Sequence, residues 1–348
     1  MAHFYLSKNY PDTASAGNKA KTDIEKILSD LGYKNAGLAQ TRYSNKIAGF
    51  ILTLIGICMV FFKISKGDTI VIQYPFKKYY SFVCNIVHLK KGKVITIIHD
   101  LGALRRQKLS IDKETKRLNH SDVLIVHNRK MRDWLQQQTY QKPMVCLEIF
   151  DYLSPVTNKK QHLFDEKSIT VAYAGALNYR KNKFLYSLDN LRPKWRLELY
   201  GMDFEENRIE NKEIFRYHGF VHSDQLIENA SANFGLVWDG ESTSSCTGSF
   251  GEYLRINNPH KVSLYIRCNC PVIIWEEAAL ASFVSENKIG ICLRSLEDLD
   301  SVLSSVSPES YNEMLENITR LDQKISSGYY LSKALAEANG ILKAHLRM

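Results

Sequence analysis

A chain of 348 residues is too long for a single ordinary α/β core and suits two domains of about 150–180 residues each. Its 45% hydrophobic and 24% charged residues exclude a disordered or fibrous protein. The net charge of +9 is uneven, because residues 1–157 hold 24 Lys and Arg against 12 Asp and Glu, whereas residues 158–348 hold 22 against 25. A basic first half favours contact with an anionic surface, a membrane or a nucleic acid, although a solvated lysine-rich face is the alternative.

The seven cysteines are scattered and include no C-x-x-C pair, which argues against a disulfide framework and for a reducing compartment. The first twenty residues show no basic stretch followed by an apolar core, so no signal peptide is expected. We therefore predict a cytoplasmic protein.

Strands and helices alternate along the first half of the chain. A strand at residues 3–6 is followed by a loop of small residues and a helix from about 19 to 31, which Gly32 ends. Three short β-branched strands follow at residues 69–73, 94–99 and 123–127. Because these strands are apolar throughout rather than alternating, they predict a parallel sheet buried on both faces.

One apolar segment requires a decision about the membrane. Residues 47–62 (IAGFILTLIGICMVFF) carry no charge and lie between Lys46 and Lys63. As a helix this segment would rise about 24 Å, less than the roughly 30 Å of a hydrocarbon layer. Three interpretations stay open: a buried helix of the first domain, a helix half-sunk in a membrane face with lysines at its ends, and a transmembrane helix.

A second series of strands begins at residue 169. Its members are predicted at residues 169–173, 196–200, 215–220, 234–238, 272–275 and 290–293. The polar stretch 151–167 is the best linker candidate. We therefore predict domains at residues 1–157 and 158–325, followed by a helical segment 326–348 that packs back against the first domain. Two such series predict an α/β protein with two doubly wound, Rossmann-like sheets that face a cleft.

Several motifs of nucleotide and hydrolase chemistry are absent. The sequence has no G-x-G-x-x-G after a strand, no G-x-x-x-x-G-K-[ST] and no G-x-S-x-G. The only D-x-D motif, at Asp298 and Asp300, lies in a helical run, so we interpret it as a solvated helix face rather than a ligand of a metal diphosphate. A sugar transfer by this chain would therefore be independent of metal.

Without a metal, a departing diphosphate needs Lys, Arg or a helix N-terminus at its binding site. One such place follows the strand that ends at Gly175, where the chain turns through Asn178. Arg180 and Lys181 open the next helix there, and Arg180 offers a planar fork for phosphate.

A second place is the helix start that follows Asn257, Asn258 and Pro259. Lys261 would combine a point charge with the helix dipole there. The alternative at both places is that the basic side chains are only solvated.

Three blocks of the second half carry a resemblance to a known family: FGLVWDG (234–240), GEYLRINNPHKVSLYI (251–266) and PVIIWEEAALASFVSENKIG (271–290). They resemble blocks of the bacterial β-1,6-galactofuranosyltransferases of O-antigen synthesis. More distantly, they are similar to the glucosyltransferases that extend sugars on streptococcal serine-rich adhesins. Further blocks, among them SAGNKAKTD (15–23) and IIHDLGALR (97–105), extend the likeness in order over nearly the whole chain.

The resemblance implies a GT-B fold in which the second domain binds a UDP-sugar and the first domain holds the acceptor. Arg180 and Lys261 would hold the diphosphate, and residues 217–220 would lie near the uracil. Glu276 would accept a bond from a ribose or sugar hydroxyl, unless it is only a carboxylate at a helix N-terminus. The donor-binding residues implied in this way are Gly17, Gly175, Leu177, Asn178, Arg180, Tyr217, Gly219, Phe220, Asn258, Lys261 and Glu276.

The loop 15–19 would close over the donor from across the cleft. The galactofuranosyltransferases that this chain resembles have a carboxylate where it has Ser15, which puts a charge-based role of that position in doubt. Inversion at the anomeric carbon also needs a base that takes the proton of the acceptor hydroxyl. Asp100, at the end of a predicted strand, and His99 beside it are the candidates, whereas His127 and Asp151 end other elements of the domain. The alternative for Asp100 is a carboxylate that caps the following turn.

The expected reaction is an inverting transfer of galactofuranose from UDP-galactofuranose to a hydroxyl of a lipid-linked glycan precursor, forming a β-1,6 bond. The alternatives are a UDP-glucose-dependent glucosyltransferase acting on a glycoprotein, and a non-catalytic nucleotide-sugar-binding partner subunit. No metal or cofactor is expected, and no nucleic acid, because no aromatic-rich basic strand or recognition helix is visible. The basic first domain and the 47–62 segment would hold the protein peripherally at the inner membrane face, as a monomer or a homo-oligomer.

Overall fold

The computed structural model describes residues 1–10, 16–76, 79–105, 107, 109–160 and 164–345. It divides the chain into two compact units, one formed by Met1–Asp151 with Gly328–Met348 and the other by Tyr152–Ser327. The first division falls a few residues before the predicted boundary at residue 157, and the second lies close to the predicted boundary at 325. Each unit has its own parallel sheet.

The first unit is built on β1 (His3–Tyr5), β2 (Lys34–Asn35), β3 (Thr69–Tyr74), β4 (Lys93–Ile98), β5 (Val123–Val126) and β6 (Met144–Cys146). These parallel strands are ordered β2-β1-β3-β4-β5-β6. Every residue of β3 and β5 is buried, as expected for strands covered on both faces. The chain adds β2 on one side of β1 and then crosses to β3 on the other, so the carboxyl ends of β1 and β3 form a topological switch point.

The described helices that accompany this sheet are α1 (Ala16–Asp30), α2 (Lys46–Lys63), α3 (Tyr80–Leu89), α4 (Gly102–Arg105), α5 (Ile111–Leu118) and α6 (Arg129–Gln137). Three of them begin at a side chain that accepts hydrogen bonds from their first amides: Asn45 at α2, Ser110 at α5 and Asn128 at α6. The buried carboxylate of Glu114 accepts the first two amides of α4, each at 2.8 Å. Local capping therefore sets where these helices start.

Helix α2, which contains the apolar segment 47–62, is buried on one side only. Ile57 and Val60 have no exposed surface, whereas Ile47 is 72% and Phe62 is 81% exposed. The interpretation of this segment as a buried helix of the first domain therefore holds for one side of α2 only. Among the described residues, no helix has the length and apolar character needed to cross a membrane.

The second unit is built on β7 (Thr170–Ala174), β8 (Arg196–Tyr200), β9 (Phe215–Tyr217), β10 (Phe234–Val237), β11 (Val272–Trp275) and β12 (Gly290–Leu293). Its strands are parallel and ordered β12-β11-β10-β7-β8-β9. The chain winds outward from β7 to β9 and then returns to β10 on the other side of β7. The switch point of this sheet therefore lies between the carboxyl ends of β7 and β10.

The described helices of the second unit are α7 (Ser223–Asn229), α8 (Gly248–Tyr253), α9 (His260–Arg267), α10 (Ala281–Glu286), α11 (Leu299–Ser304) and α12 (Pro308–Ser326). The 3-10 helices are Lys183–Leu191, Glu206–Arg208, Lys212–Ile214 and Leu296–Asp298. Arg267, only 3% exposed, fixes α9 to α12 because its guanidinium pairs with Asp322 at 2.6 Å. It also donates to the carbonyl oxygen of Val156 at 2.7 Å.

The last helix, α13 (Tyr329–His345), belongs to the first unit and packs on β5 and β6. The Asp151 carboxylate accepts the amides of Tyr330 at 3.1 Å and Leu331 at 2.7 Å. Burial raises the pKa of Asp151 to about 7. The prediction that the C-terminal helices pack back against the first domain is confirmed for α13, and Asp151 has a structural role at its start.

Candidate functional site

The switch point of the second sheet carries a buried cluster of charge. Asp239 follows β10, and its Oδ1 lies 3.0 Å from Lys261 Nζ and 3.7 Å from Lys181 Nζ. Tyr173 of β7 donates its hydroxyl to the same oxygen at 2.9 Å. The three charged side chains are only 14% to 19% exposed. Two ammonium groups thus share one carboxylate where little water reaches them.

Burial and charge oppose each other in this cluster. Burial lowers the pKa of Lys261 to about 8, although Asp239 opposes this change. Burial alone would raise the pKa of Asp239, but Lys181 and Lys261 outweigh it and lower that pKa to about 2. Asp239 is therefore an anion at neutral pH, and most Lys261 side chains stay protonated. The resulting surplus of positive charge is unfavourable to bury, and an anionic ligand would stabilise it.

Helix α9 presents Lys261 to this cluster from its first turn. Lys261 Nζ lies 3.9 Å from the centroid of the Tyr173 ring, which adds a cation–π contact. Tyr265, one turn further along the same helix face, accepts the amide of Ala174 at 2.9 Å and donates to the carbonyl of Leu236 at 3.1 Å. Its phenol ties α9 to both strands of the switch point. Tyr265 is not among the residues predicted from the sequence, although its spacing of four from Lys261 indicates a shared helix face.

Two glycines bring the backbone close to Lys261. Gly175 follows β7 with φ of +154°, and a Cβ there would lie 3.2 Å from Lys261 Cε. Gly201 follows β8 with φ of +155°, and a Cβ there would lie 1.8 Å from the Gly175 carbonyl oxygen. Only glycine fits at Gly201, because any side chain would meet fixed backbone. The backbone at the ends of β7 and β8, at Gly175 and Gly201, is therefore closely packed beside Lys261; we call this surface the glycine ledge.

The turn after β7 selects which basic side chain reaches the cluster. Asn178 Oδ1 accepts the amide of Lys181 at 3.1 Å, and Leu177 is fully buried beneath the turn. This geometry directs Lys181 to Asp239. Arg180, the residue that was predicted to bind the diphosphate, is exposed. Among the described residues, no acidic side chain forms an ion pair with it.

Two aromatic residues stand at the carboxyl end of β9, where the sequence predicts the uracil site. Tyr217 is 40% and Phe220 is 45% exposed. The Tyr217 hydroxyl donates to the carbonyl of Gly201 at 3.1 Å, and the Gly201 amide donates to the carbonyl of Gly219 at 2.8 Å. The loop after β9 is thus joined to the glycine ledge, with ring surface available for stacking.

The other two predicted donor-binding residues of this unit, Asn258 and Glu276, lie just before α9 and just after β11. Asn258 is 3% exposed and lies just before α9. Glu276 is exposed just after β11, and its amide donates to the carbonyl of Leu293 at 2.9 Å. Because α10 begins only at Ala281, Glu276 is not at a helix N-terminus, which removes the support for that alternative.

In the first unit, His99 and its neighbours lie at the carboxyl ends of β3 and β4. The buried amide of Gln73 donates from Nε2 to the carbonyl of Lys21 at 3.2 Å, so its Oε1 is the acceptor toward His99 Nε2, 2.6 Å away. The His99 ring stacks on Phe150 at 5.7 Å between centroids. The described contacts therefore hold the His99 imidazole in one orientation.

The remaining candidates of the first unit have different environments. Asp100 is about 29% exposed at its side chain, and its Oδ2 lies 2.5 Å from Arg105 Nη1. His127 is 1% exposed, and burial lowers its pKa to about 3, so it is neutral. Gly17 is the second residue of α1, and a Cβ there would meet no atom within 4 Å. Ser15 lies outside the described residues.

Acidic side chains are not grouped as metal ligands in the described parts of the chain. No cluster of three or more His, Cys, Asp or Glu residues arranged to hold a metal ion is found there. Asp300 of the D-x-D motif accepts the amide of Lys194 at 3.0 Å, near the amino end of β8. This motif therefore lies on helical turns, as interpreted, and at the strand ends opposite to Lys261.

Known proteins resemble this chain over both of its units. Residues 3–149 match the glucosyltransferase 3-like N-terminal domain, and residues 171–338 match the glucosyltransferase 3-like C-terminal domain. The β-1,6-galactofuranosyltransferase WbbI of Escherichia coli (strain K12) is 32% identical over 332 residues, 94% of this chain and 96% of WbbI. Glucosyltransferase 3 of Streptococcus gordonii is 22% identical over 334 residues, 92% of each chain.

The fold is shared with a solved glycosyltransferase. The crystal structure of WaaG, a glycosyltransferase involved in lipopolysaccharide biosynthesis, aligns with a TM-score of 0.53 at 12% identity. The alignment covers 96% of this chain and 98% of WaaG. Two six-stranded parallel sheets with this likeness confirm the predicted GT-B fold, and the resemblance to galactofuranosyltransferases is confirmed by WbbI. The chain is a glycosyltransferase and belongs to the glucosyltransferase 3-like family.

Proposed function

We propose that this glycosyltransferase moves galactofuranose from UDP-galactofuranose to a hydroxyl of a lipid-linked glycan precursor, with inversion and a β-1,6 bond. The choice of donor is supported by the higher identity to WbbI, 32% against 22% for glucosyltransferase 3 of Streptococcus gordonii. The observation that carries the proposal is the cluster of Lys261, Lys181 and Asp239 at the switch point of the second sheet.

The cluster matches the chemistry of a departing diphosphate. One carboxylate neutralises only one of the two ammonium groups, so a net positive charge remains. This charge can stabilise the phosphate oxygens of a diphosphate without a divalent cation. The transition state gains more from this charge than the bound donor does, because negative charge develops on the leaving phosphate as the glycosidic bond breaks. We therefore assign the diphosphate to Lys261 and Lys181, and we expect no metal requirement.

The remaining donor contacts follow from the surrounding residues. Tyr217 and Phe220 offer the exposed rings on which a uracil would stack. Gly219 holds the loop after β9 close to the glycine ledge, because its carbonyl accepts the Gly201 amide. Glu276 offers a carboxylate for a sugar or ribose hydroxyl. We propose that Gly175 and Asn178 shape the pocket through the backbone, and we assign Arg180 only a peripheral contact.

For the acceptor, we propose Asp100 as the base that takes the hydroxyl proton. Its side chain is about 29% exposed at the carboxyl end of β4, and Arg105 holds one carboxylate oxygen at 2.5 Å. The other oxygen would accept the proton. His99, 9% exposed and held by Gln73, is the second candidate because only a small part of its ring can reach an acceptor.

A glucosyl donor is the second candidate function, because the two domain models that the chain matches are named after glucosyltransferase 3. A panel of UDP-galactofuranose, UDP-galactose and UDP-glucose, scored for donor hydrolysis and for transfer, decides between the two. Turnover of UDP-glucose without turnover of UDP-galactofuranose would contradict the proposed donor. Binding of UDP without hydrolysis of any donor would favour a non-catalytic subunit.

A further inference from the structure

Helix α2 exposes its apolar side to solvent. Its exposed apolar stripe consists of Ile47, Phe50, Ile51, Leu54, Ile55, Phe61 and Phe62. These positions follow the spacing of one helix face, and each is between 38% and 81% exposed. A globular helix normally turns such a face toward the core, so this surface is built for contact with something outside the unit.

The neighbouring helix α3 extends the same surface. Phe82 is 55% and Leu89 is 74% exposed on α3, which packs beside α2. Of the 17 large hydrophobic side chains that are exposed in the described residues, seven belong to the apolar stripe and two to α3. More than half of the exposed apolar residues are therefore gathered on two adjacent helices rather than scattered over the surface.

The segment of the chain that contains the stripe carries charge of almost one sign. Residues 31–99 contain ten Lys and Arg and a single acidic residue, Asp68. Asp68 is 7% exposed, and its carboxylate accepts the amides of Ala2 at 2.8 Å and Ser65 at 2.9 Å, so it does not face solvent freely. Lys63 and Lys66 are exposed at the end of α2, and Lys90 Nζ lies 4.3 Å from the Phe61 ring centroid.

We propose that the apolar stripe, with Phe82 and Leu89, is a docking surface for an anionic lipid bilayer, on which α2 lies in the interface. Lys66 and Lys90, near the carboxyl end of α2, can keep their ammonium groups among the headgroups while the apolar side chains enter the acyl layer. Anionic lipids would neutralise the basic segment 31–99. This inference rests on the proposed function in one respect only: the lipid-linked acceptor proposed above would be presented at the same membrane surface.

A second copy of the chain fits this surface less well. A symmetric contact through the stripe would bring the basic segment of one copy against that of the other, and like charges oppose such a contact. An anionic membrane satisfies the apolar and the charged parts of the surface together.

The test is co-sedimentation of the full chain with vesicles, without nucleotide. We expect binding to phosphatidylcholine vesicles that contain phosphatidylglycerol, and much weaker binding to pure phosphatidylcholine. The double variant Phe50→Gln, Phe62→Gln should lose roughly tenfold or more in partitioning, because two exposed rings no longer enter the acyl layer. The matched control Leu31→Gln, Ile111→Gln removes two exposed apolar side chains elsewhere in the first unit and should bind as the parent does. Lys66, after α2, and Lys91, after α3, are both exposed. Replacing them by Gln should weaken binding about fivefold for each lysine.

Absence of binding to the anionic vesicles at low salt would overturn the proposal. Equal binding of the parent and the Phe50→Gln, Phe62→Gln variant would also overturn it. A third contrary outcome is that vesicles bind nothing, while sedimentation shows a dimer of the parent chain that this variant does not form. Donor hydrolysis by the same preparations, measured without vesicles, reports on the proposed transferase alone. Loss of docking with intact hydrolysis therefore separates failure of the surface from failure of the site.

Discussion

Lys261 and Asp239 form an ion pair of 3.0 Å at the switch point of the second sheet, and Lys181 approaches the same carboxylate oxygen at 3.7 Å. The pair holds Lys261 in place before any ligand arrives, so little rotamer freedom remains to be lost when a phosphate binds. The second lysine supplies the charge that the carboxylate does not cancel. This arrangement is pre-organised for an anion, and the predictions below depend on it.

Lys261→Met should weaken UDP binding by roughly 10- to 100-fold, because a charge-assisted phosphate contact contributes about 1.5–3 kcal/mol. Isothermal titration with UDP measures the change. Lys194→Met is the matched control, since Lys194 is exposed near the amino end of β8, away from the cluster. Equal affinities of the parent and Lys261→Met would remove this lysine from the donor site.

Lys181→Met and Arg180→Met test which of these two side chains binds the diphosphate, Lys181 as the structure indicates or Arg180 as the sequence predicted. Because Lys181 approaches Asp239 and Arg180 points to solvent, we expect several-fold weaker UDP binding for the Lys181 variant and a change below about twofold for the Arg180 variant. Side-by-side titrations of the two variants measure this. A larger loss for Arg180→Met would restore the assignment made from the sequence.

The affinity for UDP should fall at alkaline pH. Burial lowers the pKa of Lys261 to about 8, so the free protein loses this proton as the pH rises through that value, and binding must then take a proton up. The expected loss approaches tenfold for each pH unit above about 8, up to the total loss expected for Lys261→Met, and full affinity is present well below pH 8. Titrations across this range in Lys261→Met should show no such slope; an identical slope in that variant would assign the effect to another group.

Asp100→Asn should abolish transfer while donor binding stays near the parent value, because the amide cannot accept the acceptor's proton. The rate of transfer to an added acceptor and the Kd for UDP are measured on the same preparation. His99→Gln is the comparison variant. If Asp100→Asn remains active and His99→Gln does not, the base is the histidine.

Asp151→Ala should destabilise the first unit without affecting the donor site. The substitution removes the carboxylate that accepts the first amides of α13, a loss of about 0.5–2 kcal/mol by analogy with helix caps. Urea denaturation measures the change, and Asp298→Ala is the control because the exposed Asp298 side chain makes no cap hydrogen bond. Unchanged stability of Asp151→Ala would mean that α13 is held by its packing alone.

The sequence predicted the layered architecture well, because buried parallel strands appear as short apolar runs. Ten of the twelve strands lie at or near positions predicted from the sequence, and four of these, β3, β4, β5 and β11, are runs rich in β-branched residues. The two unpredicted strands, β2 (KN) and β6 (MVC), are short and contain one β-branched residue between them, so neither stands out from its surroundings. Their positions follow from pairing with β1 and β5, which is tertiary information.

Of the residues in the cluster, the sequence singled out Lys261 and Lys181 but not Asp239 or Tyr173. Lys261 stands out because it opens a helix after a turn. The choice between Arg180 and Lys181 depends on the conformation of the turn, in which the Lys181 amide donates to Asn178, and sequence spacing does not reveal it. Asp239 could have been identified, since it follows an apolar strand whose carboxyl end adjoins the switch point.

A crystal structure with UDP bound tests the central claim most directly. We predict pyrophosphate oxygens at about 2.7–2.9 Å from the Nζ atoms of Lys261 and Lys181, with the uracil against Tyr217 or Phe220. A pyrophosphate bound away from both lysines, or held by a divalent cation, would contradict the account.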